Sequence, residues 1–483
     1  MIRVFNYINI SNSKNIWADS GYHVQRNVIN YILRKRDDFF FYVTVPHDQI
    51  DAAKRGFEYP DRVLLIPIKY STAGALNKLF LDLAGLRTKF KWRRYFVNII
   101  WSNEAYLTPY ILQLFKGTFP FADASVATYV HWVEIPELNR LGSPEKGNWL
   151  LWLLATTAYW SDVVFFNSKY GVNLVLPYFQ KFLREDIFGE IESKLRPLYL
   201  GINVEELDKY KHGERSDVPL IVFNQRMMQY TGATKVVRVA KRLADHGYKF
   251  KLVFTNPSHH SVQEAYGEAA KKYSKYIQLL HGLPYPDYIR LLWKADAVVA
   301  WHTGFNNSGE DKPVNQWSIA LLEAIACNTY PVVHNNGFFT EMLPREVLLS
   351  PKEDSLYAAL VRIIEDPDYY RRKAHSIAQY VREKYDWRVR INDWISAYEY
   401  LYNLSQSRAS IPTVETVIKI KRLIEKKKRI TWNDIANELR WGYQIKVGRS
   451  GVYYWLCRNY KELPLPEPTW ESVSKKKSIR KWL

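Results

Sequence analysis

The chain has few cysteines and few long apolar segments, which are the features typical of secreted, metal-stabilised and membrane-spanning proteins. Only two of its 483 residues are cysteine, Cys327 and Cys457, and they lie far apart. This excludes a disulfide framework and argues against a cysteine-based metal site. The N-terminal stretch MIRVFNYINIS predicts a first strand, because it lacks the long apolar segment of a signal peptide. These absences favour a reducing cytoplasm, which would be a host cytoplasm if the protein is viral.

Long apolar runs are also scarce. The longest, WLLWLLATTAY at residues 149–159, is shorter than the roughly 20 residues that a membrane span needs. It therefore predicts a buried helix.

Positive charge and aromatic side chains are in excess. The formal net charge is +19, and the last 76 residues, 408–483, hold 18 Lys and Arg against 7 Asp and Glu, which is +11 of that total. A basic tail of this density favours a polyanionic partner, either nucleic acid or an anionic membrane surface, over a merely solubilising extension. Aromatic residues make up 15% of the chain, including 17 Trp and 35 Tyr. Such residues fill cores and also stack on sugars and bases.

Short apolar strands alternate with helical patterns in two successive series. The first runs from VFNYINIS to DVVFFNS, and the second from PLIVFNQ to TYPVVHN. Alternation of this kind predicts parallel sheets built from βαβ units, hence an α/β fold of two Rossmann-like, doubly wound lobes that face a cleft. The predicted domains are residues 1–200, residues 201–404, and a small, mainly α-helical, basic domain at residues 412–483.

One segment carries the most specific resemblance to a known family. Residues 315–333 read NQWSIALLEAIACNTYPVV, which resembles the EPFG and LEAMACGTPVV motifs of the family-4 retaining glycosyltransferases, enzymes with the GT-B fold. The resemblance implies that Glu323 binds the ribose hydroxyls of a nucleotide diphosphate sugar and that Ser318 lies beside this donor. Asn315 stands where the family has a glutamate that contacts the transferred sugar. An amide can still form hydrogen bonds with a sugar but carries no charge.

Further donor contacts follow from the same resemblance. The segment VFNQRMMQYTGATKVV matches the family's diphosphate-binding turn at Arg226 and Gly232, whereas Thr231 replaces the family's lysine. An arginine fork and helix N-terminal amides both suit phosphate. Other donor contacts are expected at Gly21, Lys235, Gly282 and Leu283. Glu310 and Asp311 are the acidic residues that could take over the role of the family's glutamate, which Asn315 replaces here.

The stretch ATYVHWVEIPE supplies the candidate that faces the reacting sugar. His131 ends a predicted strand, and in the resembling family a histidine at this place faces the sugar across the cleft. With Asn315 and Arg226 it completes the predicted catalytic set. Glu104 and Glu134 are the predicted acceptor contacts. No His, Asp or Glu cluster has convincing metal-ligand spacing, and the family implies no essential metal.

The basic tail resembles a helix-turn-helix domain. Thr431 and Asp434 form a capping-box-like start for one helix, and a second is predicted to begin near Ser450. Double-stranded DNA is the partner that this arrangement favours. The residues expected to contact it are Lys446, Arg449, Ser450, Tyr453 and Tyr454.

Together these features predict retaining transfer of a sugar, such as glucose from UDP-glucose, to a hydroxymethylated base in DNA. The NQR, YTG and WSNE stretches resemble phage- and virus-encoded glycosyltransferases, and a flipped base would bring its hydroxyl to the cleft. A first alternative is a membrane-surface enzyme acting on a lipid-linked or polysaccharide acceptor, docked through the basic stretch KFKWRRYF at residues 89–96. A second alternative is a DNA-binding protein whose transferase lobes have decayed.

Overall fold

The computed structural model describes most of the chain up to residue 410. The described residues are 1–8, 10, 16–68, 97–106, 108, 109, 111, 112, 124–133, 135, 136, 144–211, 215–227, 231–255, 269–280, 282–302 and 317–410.

The first lobe is built on a seven-stranded parallel sheet in the spatial order 3-2-1-4-5-6-7. Its strands are β1 (Ile2–Tyr7), β2 (Phe39–Pro46), β3 (Val63–Ile68), β4 (Ile99–Ser102), β5 (Ser125–Val130), β6 (Val163–Phe166) and β7 (Leu195–Pro197). Its helices are α1 (Ser20–Lys35), α2 (Ile50–Lys54), α3 (Pro144–Trp160), α4 (Lys169–Phe182) and α5 (Glu185–Lys194).

The second lobe repeats the plan with a six-stranded parallel sheet in the order 10-9-8-11-12-13. Its strands are β8 (Leu220–Phe223), β9 (Lys251–Phe254), β10 (Ile277–Leu279), β11 (Ala297–Ala300), β12 (Tyr330–His334) and β13 (Leu348–Leu349). The helices from residue 204 onward are α6 (Val204–Asp208), α7 (Ala233–Asp245), α8 (Tyr285–Lys294), α9 (Ile319–Ala326), α10 (Phe339–Met342), α11 (Glu353–Glu365), α12 (Pro367–Tyr385) and α13 (Trp387–Ser410).

The central strands are buried along their whole length, which explains their nearly continuous apolar sequences. Strands β4, β5, β6 and β11 have no exposed or half-exposed residue. Parallel sheets covered by helices on both faces require such strands. The predicted α/β fold with two Rossmann-like lobes is confirmed.

The last described helix returns to the first lobe. Residues 387–404 fall within the predicted second domain, 201–404, and α13 packs against α1, β4 and β5 of the first lobe. The ring of Tyr398 lies 4.6 Å from that of Trp101, and the ring of Trp394 lies 5.3 Å from the same indole. Because α13 follows the second lobe in sequence and packs on the first, it ties the two lobes together.

Helix α3 departs from the sequence expectation in its burial. Leu150, Leu151 and Leu154 face the core. Trp149 and Trp152, however, are half exposed, at 51% and 50%, as are Tyr159 and Trp160. The prediction of a buried helix was therefore wrong for one face. With about 3.6 residues per turn, the four exposed aromatic residues lie on one side of the helix and the buried leucines lie on the other.

A closed ring of three amides joins α1 to the carboxyl ends of β1 and β4. The side chain of Asn6 donates to Gln25 at 2.8 Å, Gln25 donates to Asn103 at 2.7 Å, and Asn103 donates back to Asn6 at 2.8 Å. The indole of Trp101 also donates to Asn103 at 3.3 Å. All three amides are buried, so each depends on the others for its hydrogen bonds.

Replacing Asn103 by alanine should therefore lower the free energy of unfolding by about 2–4 kcal/mol, because two buried amides and an indole lose a partner. Chemical denaturation measures this change. Asn392→Ala is the matched control, since Asn392 is exposed and accepts one hydrogen bond from Lys35 at 2.8 Å. A loss no larger for Asn103→Ala than for the control would contradict a stabilising role for the ring.

Candidate active site

The candidate site lies where the carboxyl ends of the strands of both lobes approach each other. Several contacts join the lobes directly. The ring of His23 on α1 lies 5.7 Å from that of Tyr285 on α8, and Arg26 lies 3.4 Å from Glu206 on α6. In open parallel sheets, ligands bind beyond the carboxyl ends of the strands. Ligand-binding residues are therefore expected after β5, β8, β10 and β11.

Gly232 forms the tight turn that leads from β8 into α7. It is the N-cap residue of α7, with a φ of 75°, in the left-handed region. A Cβ atom there would lie 1.9 Å from the carbonyl oxygen of Trp301, which follows β11. Only glycine fits both the φ angle and this close backbone approach. The turn therefore holds the N-terminus of a 13-residue helix against the edge of the sheet, and such an N-terminus attracts phosphate.

Arg226 and Lys235 lie on either side of this turn. The Arg226 side chain is exposed, and Lys235 is half-buried in the first turn of α7. Thr231, which stands in place of the family's lysine, is buried, and its hydroxyl donates to the backbone carbonyl of Arg226 at 2.6 Å. Thr231 thus closes the loop, so cationic charge at the turn comes from Arg226 and Lys235.

Ser318 and Glu323 both lie on the short helix α9. Ser318 is its N-cap, and the hydroxyl accepts from the Leu321 amide at 3.2 Å. The same hydroxyl donates to the side chain of Gln225 at 3.1 Å, and Gln225 donates to Asn224 at 3.0 Å. Residues 224 and 225 follow β8 directly. This network joins the turn that contains Arg226 and Gly232 to the helix that contains Glu323.

Glu323 is 6% exposed and sits beside two tyrosines. The hydroxyl of Tyr285 donates to its carboxylate at 3.3 Å, and Tyr288 is a second hydrogen-bond partner. Burial raises the pKa of Glu323 to about 7, and nearby Glu206 adds to this, whereas the two tyrosines and Arg26 act in the opposite direction. The carboxylate is therefore close to the balance between its charged and neutral forms at neutral pH.

His131 follows β5 in the first lobe, at the carboxyl edge of the sheet. Its backbone carbonyl accepts from the Asn167 side chain at 2.8 Å, and its ring lies 4.6 Å from that of Tyr129. Its Nε2 atom is buried with no hydrogen-bond partner. Burial lowers the pKa of His131 to about 4, so the imidazole is neutral at pH 7. A neutral imidazole with an unused ring nitrogen can form a hydrogen bond with a sugar hydroxyl.

The surroundings of the other predicted donor and acceptor contacts give no specific support for ligand binding. Gly21 lies in the first turn of α1. Gly282 has a φ of 61° and is exposed, and Leu283 is half-buried just before α8. Glu104 is buried after β4, and its carboxylate accepts from the Tyr106 amide at 3.3 Å within its own turn.

Several predicted residues lie outside the described ranges. They are Glu134, Glu310, Asp311 and Asn315, the stretch 89–96, and the tail with Lys446, Arg449, Ser450, Tyr453 and Tyr454. Within the described ranges, no group of three or more His, Cys, Asp or Glu side chains could hold a metal ion. No helix in that part of the chain combines the length and apolarity needed to cross a bilayer.

Sequence reasoning missed the polar groups that surround Glu323. Asn224 and Gln225 stand in the NQR stretch, whose position after a strand was recognised, but no role was assigned to them. Tyr285 and Tyr288 sit one helical turn apart on α8, and nothing in their spacing distinguishes them from core tyrosines.

Comparison with known proteins relates the second lobe to a family. Residues 204–384 match the model of the family Glycosyl transferases group 1. The second lobe is therefore similar to the group 1 glycosyltransferases. The matched residues contain the Gly232 turn, the α9 helix with Glu323, and the segment with Gly282 and Leu283.

Individual glycosyltransferases agree with this assignment. The tRNA-queuosine alpha-mannosyltransferase of Drosophila melanogaster is 25% identical over 231 residues, which are 44% of this chain and 58% of that protein. A Rickettsia africae glycosyltransferase aligns with a TM-score of 0.58 at 14% identity, covering 83% of this chain and 98% of its own. Anabaena HepE in complex with UDP and glucose aligns with a TM-score of 0.59 at 14% identity, covering 82% and 99%. At such identities the structural likeness establishes the GT-B fold alone.

The Gly232 turn yields a test with an internal control. Gly232→Ala should weaken binding of UDP-glucose at least tenfold and destabilise the fold, because the added Cβ would overlap the carbonyl of Trp301. Gly247→Ala carries the same backbone cost, since its φ is 81°, but meets no atom within 4 Å. We expect it to cost about 1–2 kcal/mol of stability and to leave binding unchanged. Equal donor affinities in calorimetric titrations of the two variants would exclude the turn from the donor site.

Proposed function

We propose that the protein transfers a sugar, with retention, from a nucleotide diphosphate sugar to a hydroxyl group on a modified base in nucleic acid. The observation that carries the donor part is the continuous network from Gln225 through Ser318 to helix α9. This network joins the helix that carries the buried carboxylate of Glu323 to residues 224 and 225, which precede the turn into α7. A nucleotide diphosphate needs both an acceptor for its ribose hydroxyls and donors for its phosphates.

In the proposed reaction Glu323 accepts hydrogen bonds from the ribose, while Arg226, Lys235 and the N-terminus of α7 stabilise the diphosphate as charge develops on it. The bond between the anomeric carbon and the diphosphate breaks, and the acceptor oxygen bonds to the same face of that carbon. The acceptor's proton passes to the leaving diphosphate oxygen. His131, neutral at pH 7, forms a hydrogen bond with the sugar and needs neither to gain nor to lose a proton.

A modified base in tRNA is the acceptor that the comparisons favour. The curated relative is named for transfer of mannose to queuosine in tRNA, and the chain spans 58% of its length. The charge of this chain suits an RNA partner, because phosphate contacts dominate the affinity of proteins for nucleic acids.

A hydroxymethylated base in DNA is the second candidate. It is favoured by the location of the positive charge, since +11 of the net +19 lies in residues 408–483, a segment whose sequence resembles a helix-turn-helix domain.

Assays of the full-length chain with both acceptors test this proposal. UDP- and GDP-sugars would be supplied with either total tRNA or duplex DNA containing hydroxymethylated bases, and mass spectrometry of the nucleosides would detect the product. Lipid and polysaccharide acceptors would be supplied in parallel reactions. We expect a hexose on a tRNA nucleoside. Transfer to DNA alone would select the second candidate. Transfer to a lipid or polysaccharide acceptor only would refute a nucleic-acid acceptor, and donor binding without transfer to any acceptor would refute the enzymatic proposal.

The pH dependence of donor binding tests Glu323 directly. Its pKa is raised to about 7, and only the charged form can accept from two ribose hydroxyls. A protonated Glu323 must therefore lose its proton when UDP-glucose binds. Above pH 7.5 Glu323 is mostly charged already, so the affinity for UDP-glucose should be constant there. It should fall by up to tenfold per pH unit below pH 6.5. Calorimetric titrations between pH 5.5 and 8.5 measure this.

Glu323→Gln supplies the control for that titration. The amide has the same shape but no ionisation in this range, so the variant should bind more weakly, by tenfold or more, and with no dependence on pH. If the variant retains the pH profile of the natural protein, another group is responsible.

A further inference from the structure

Glu341 makes an unusual contact between the lobes. It lies on α10 of the second lobe, and its two carboxylate oxygens accept from backbone amides at the start of α4 in the first lobe. The distances are 2.9 Å from the Lys169 nitrogen and 2.8 Å from the Tyr170 nitrogen. The hydroxyl of Tyr199 also donates to this carboxylate. One side chain thus receives three hydrogen bonds from the other lobe and from the segment that joins the lobes.

The contact completes a helix cap that the first lobe supplies only in part. The first N–H groups of any helix lack acceptors within the helix. In α4 the N-cap hydroxyl of Ser168 accepts from the Gly171 amide at 3.0 Å. The amides of residues 169 and 170 donate instead to the carboxylate of Glu341. A carboxylate is also favoured there by the helix dipole. The N-terminus of α4 is therefore fully capped only while the second lobe is in place.

The same helix start is connected to His131. Asn167 immediately precedes the N-cap of α4, is almost fully buried, and donates to the backbone carbonyl of His131 at 2.8 Å. The path from the second lobe to His131 thus runs from Glu341 to the amides of residues 169 and 170, and then through Asn167. Every step is a hydrogen bond or a directly adjoining stretch of backbone.

We propose that Glu341 is a positioning residue that fastens the two lobes together and thereby sets His131 against the sugar held by the donor lobe. The inference rests on the proposed function for the role of His131, but the fastening itself does not. The carboxylate acts on the relative position of the lobes through its hydrogen bonds with Lys169, Tyr170 and Tyr199.

Hydrogen exchange measured by mass spectrometry on the full-length protein tests the fastening without any substrate. Glu341→Gln keeps the side-chain shape but has one carbonyl oxygen instead of two acceptors, and its NH₂ group faces an N–H donor. Exchange of the amides of Lys169 and Tyr170 should become at least tenfold faster, while amides of the central strands β4 and β5 stay unchanged. Glu353→Gln is the matched control, because Glu353 pairs with Arg238 at 2.7 Å within the second lobe. Unchanged exchange in Glu341→Gln would overturn the proposal.

Steady-state kinetics test the effect on His131. Glu341→Gln should lower kcat on the order of tenfold, since a small displacement of a reacting group has effects of this size or larger. Its affinity for the donor should stay within about twofold of that of the natural protein. Asn167→Ala should have a similar effect, and the double variant should be no worse than the more impaired single variant, because both act through one path. Additive losses, or faster exchange with normal kcat, would refute the link to His131.

The two arms separate the failure of this inference from that of the proposed function. If the natural protein binds no nucleotide sugar, the proposed function fails, and the exchange experiment still decides whether Glu341 fastens the lobes. If the natural protein is active and Glu341→Gln matches Glu353→Gln in both exchange and kcat, the fastening and the positioning role of Glu341 are refuted and the proposed function stands.

Discussion

Buried side-chain amides at the carboxyl ends of the parallel strands replace the hydrogen bonds they lose to water by pairing with one another, and both lobes use this arrangement. In the first lobe the amides of Asn6, Gln25 and Asn103 satisfy one another in a closed ring. In the second, Asn224, Gln225 and Ser318 form a chain that ends at helix α9. Because an unpaired buried amide costs about 1–3 kcal/mol, each network fixes the helix that it holds. The helices beside the cleft are therefore held in place by buried hydrogen bonds, as the proposed group transfer would require.

The same constraint explains which parts of the molecule could be predicted from the sequence. The strands follow from apolar runs, and the α/β fold follows from their alternation with helices, because burial on both faces leaves a strong pattern. Glu323 and Gly232 were found through a family resemblance, and the structure supplies a local reason for Gly232 in the approach to Trp301. The partners of Glu323 could not be predicted, since Tyr285 and Tyr288 look like ordinary core residues until the fold brings α8 beside α9.

Packing between distant segments was the other part that sequence patterns could not give. The return of α13 to the first lobe depends on contacts such as those of Tyr398 with Trp101, Phe39 and Phe41, which come from three separate stretches of chain. Likewise, the sequence of α3 is as apolar as that of a buried helix, although its aromatic face is half exposed. A window of sequence records the apolar character of a helix but not which face a neighbour covers.

The division of one helix cap between two lobes bears on the proposed transfer. If the lobes separate to admit substrates and close again for transfer, contacts between them should be individually modest and readily remade. Three hydrogen bonds to Glu341 meet this need, because water can replace them when the lobes separate and the amides at the start of α4 are then solvated rather than orphaned. An apolar contact of equal strength would leave exposed hydrophobic surface in the open state. A charge-assisted polar contact therefore suits a junction that must form repeatedly and orient the groups on either side each time it does.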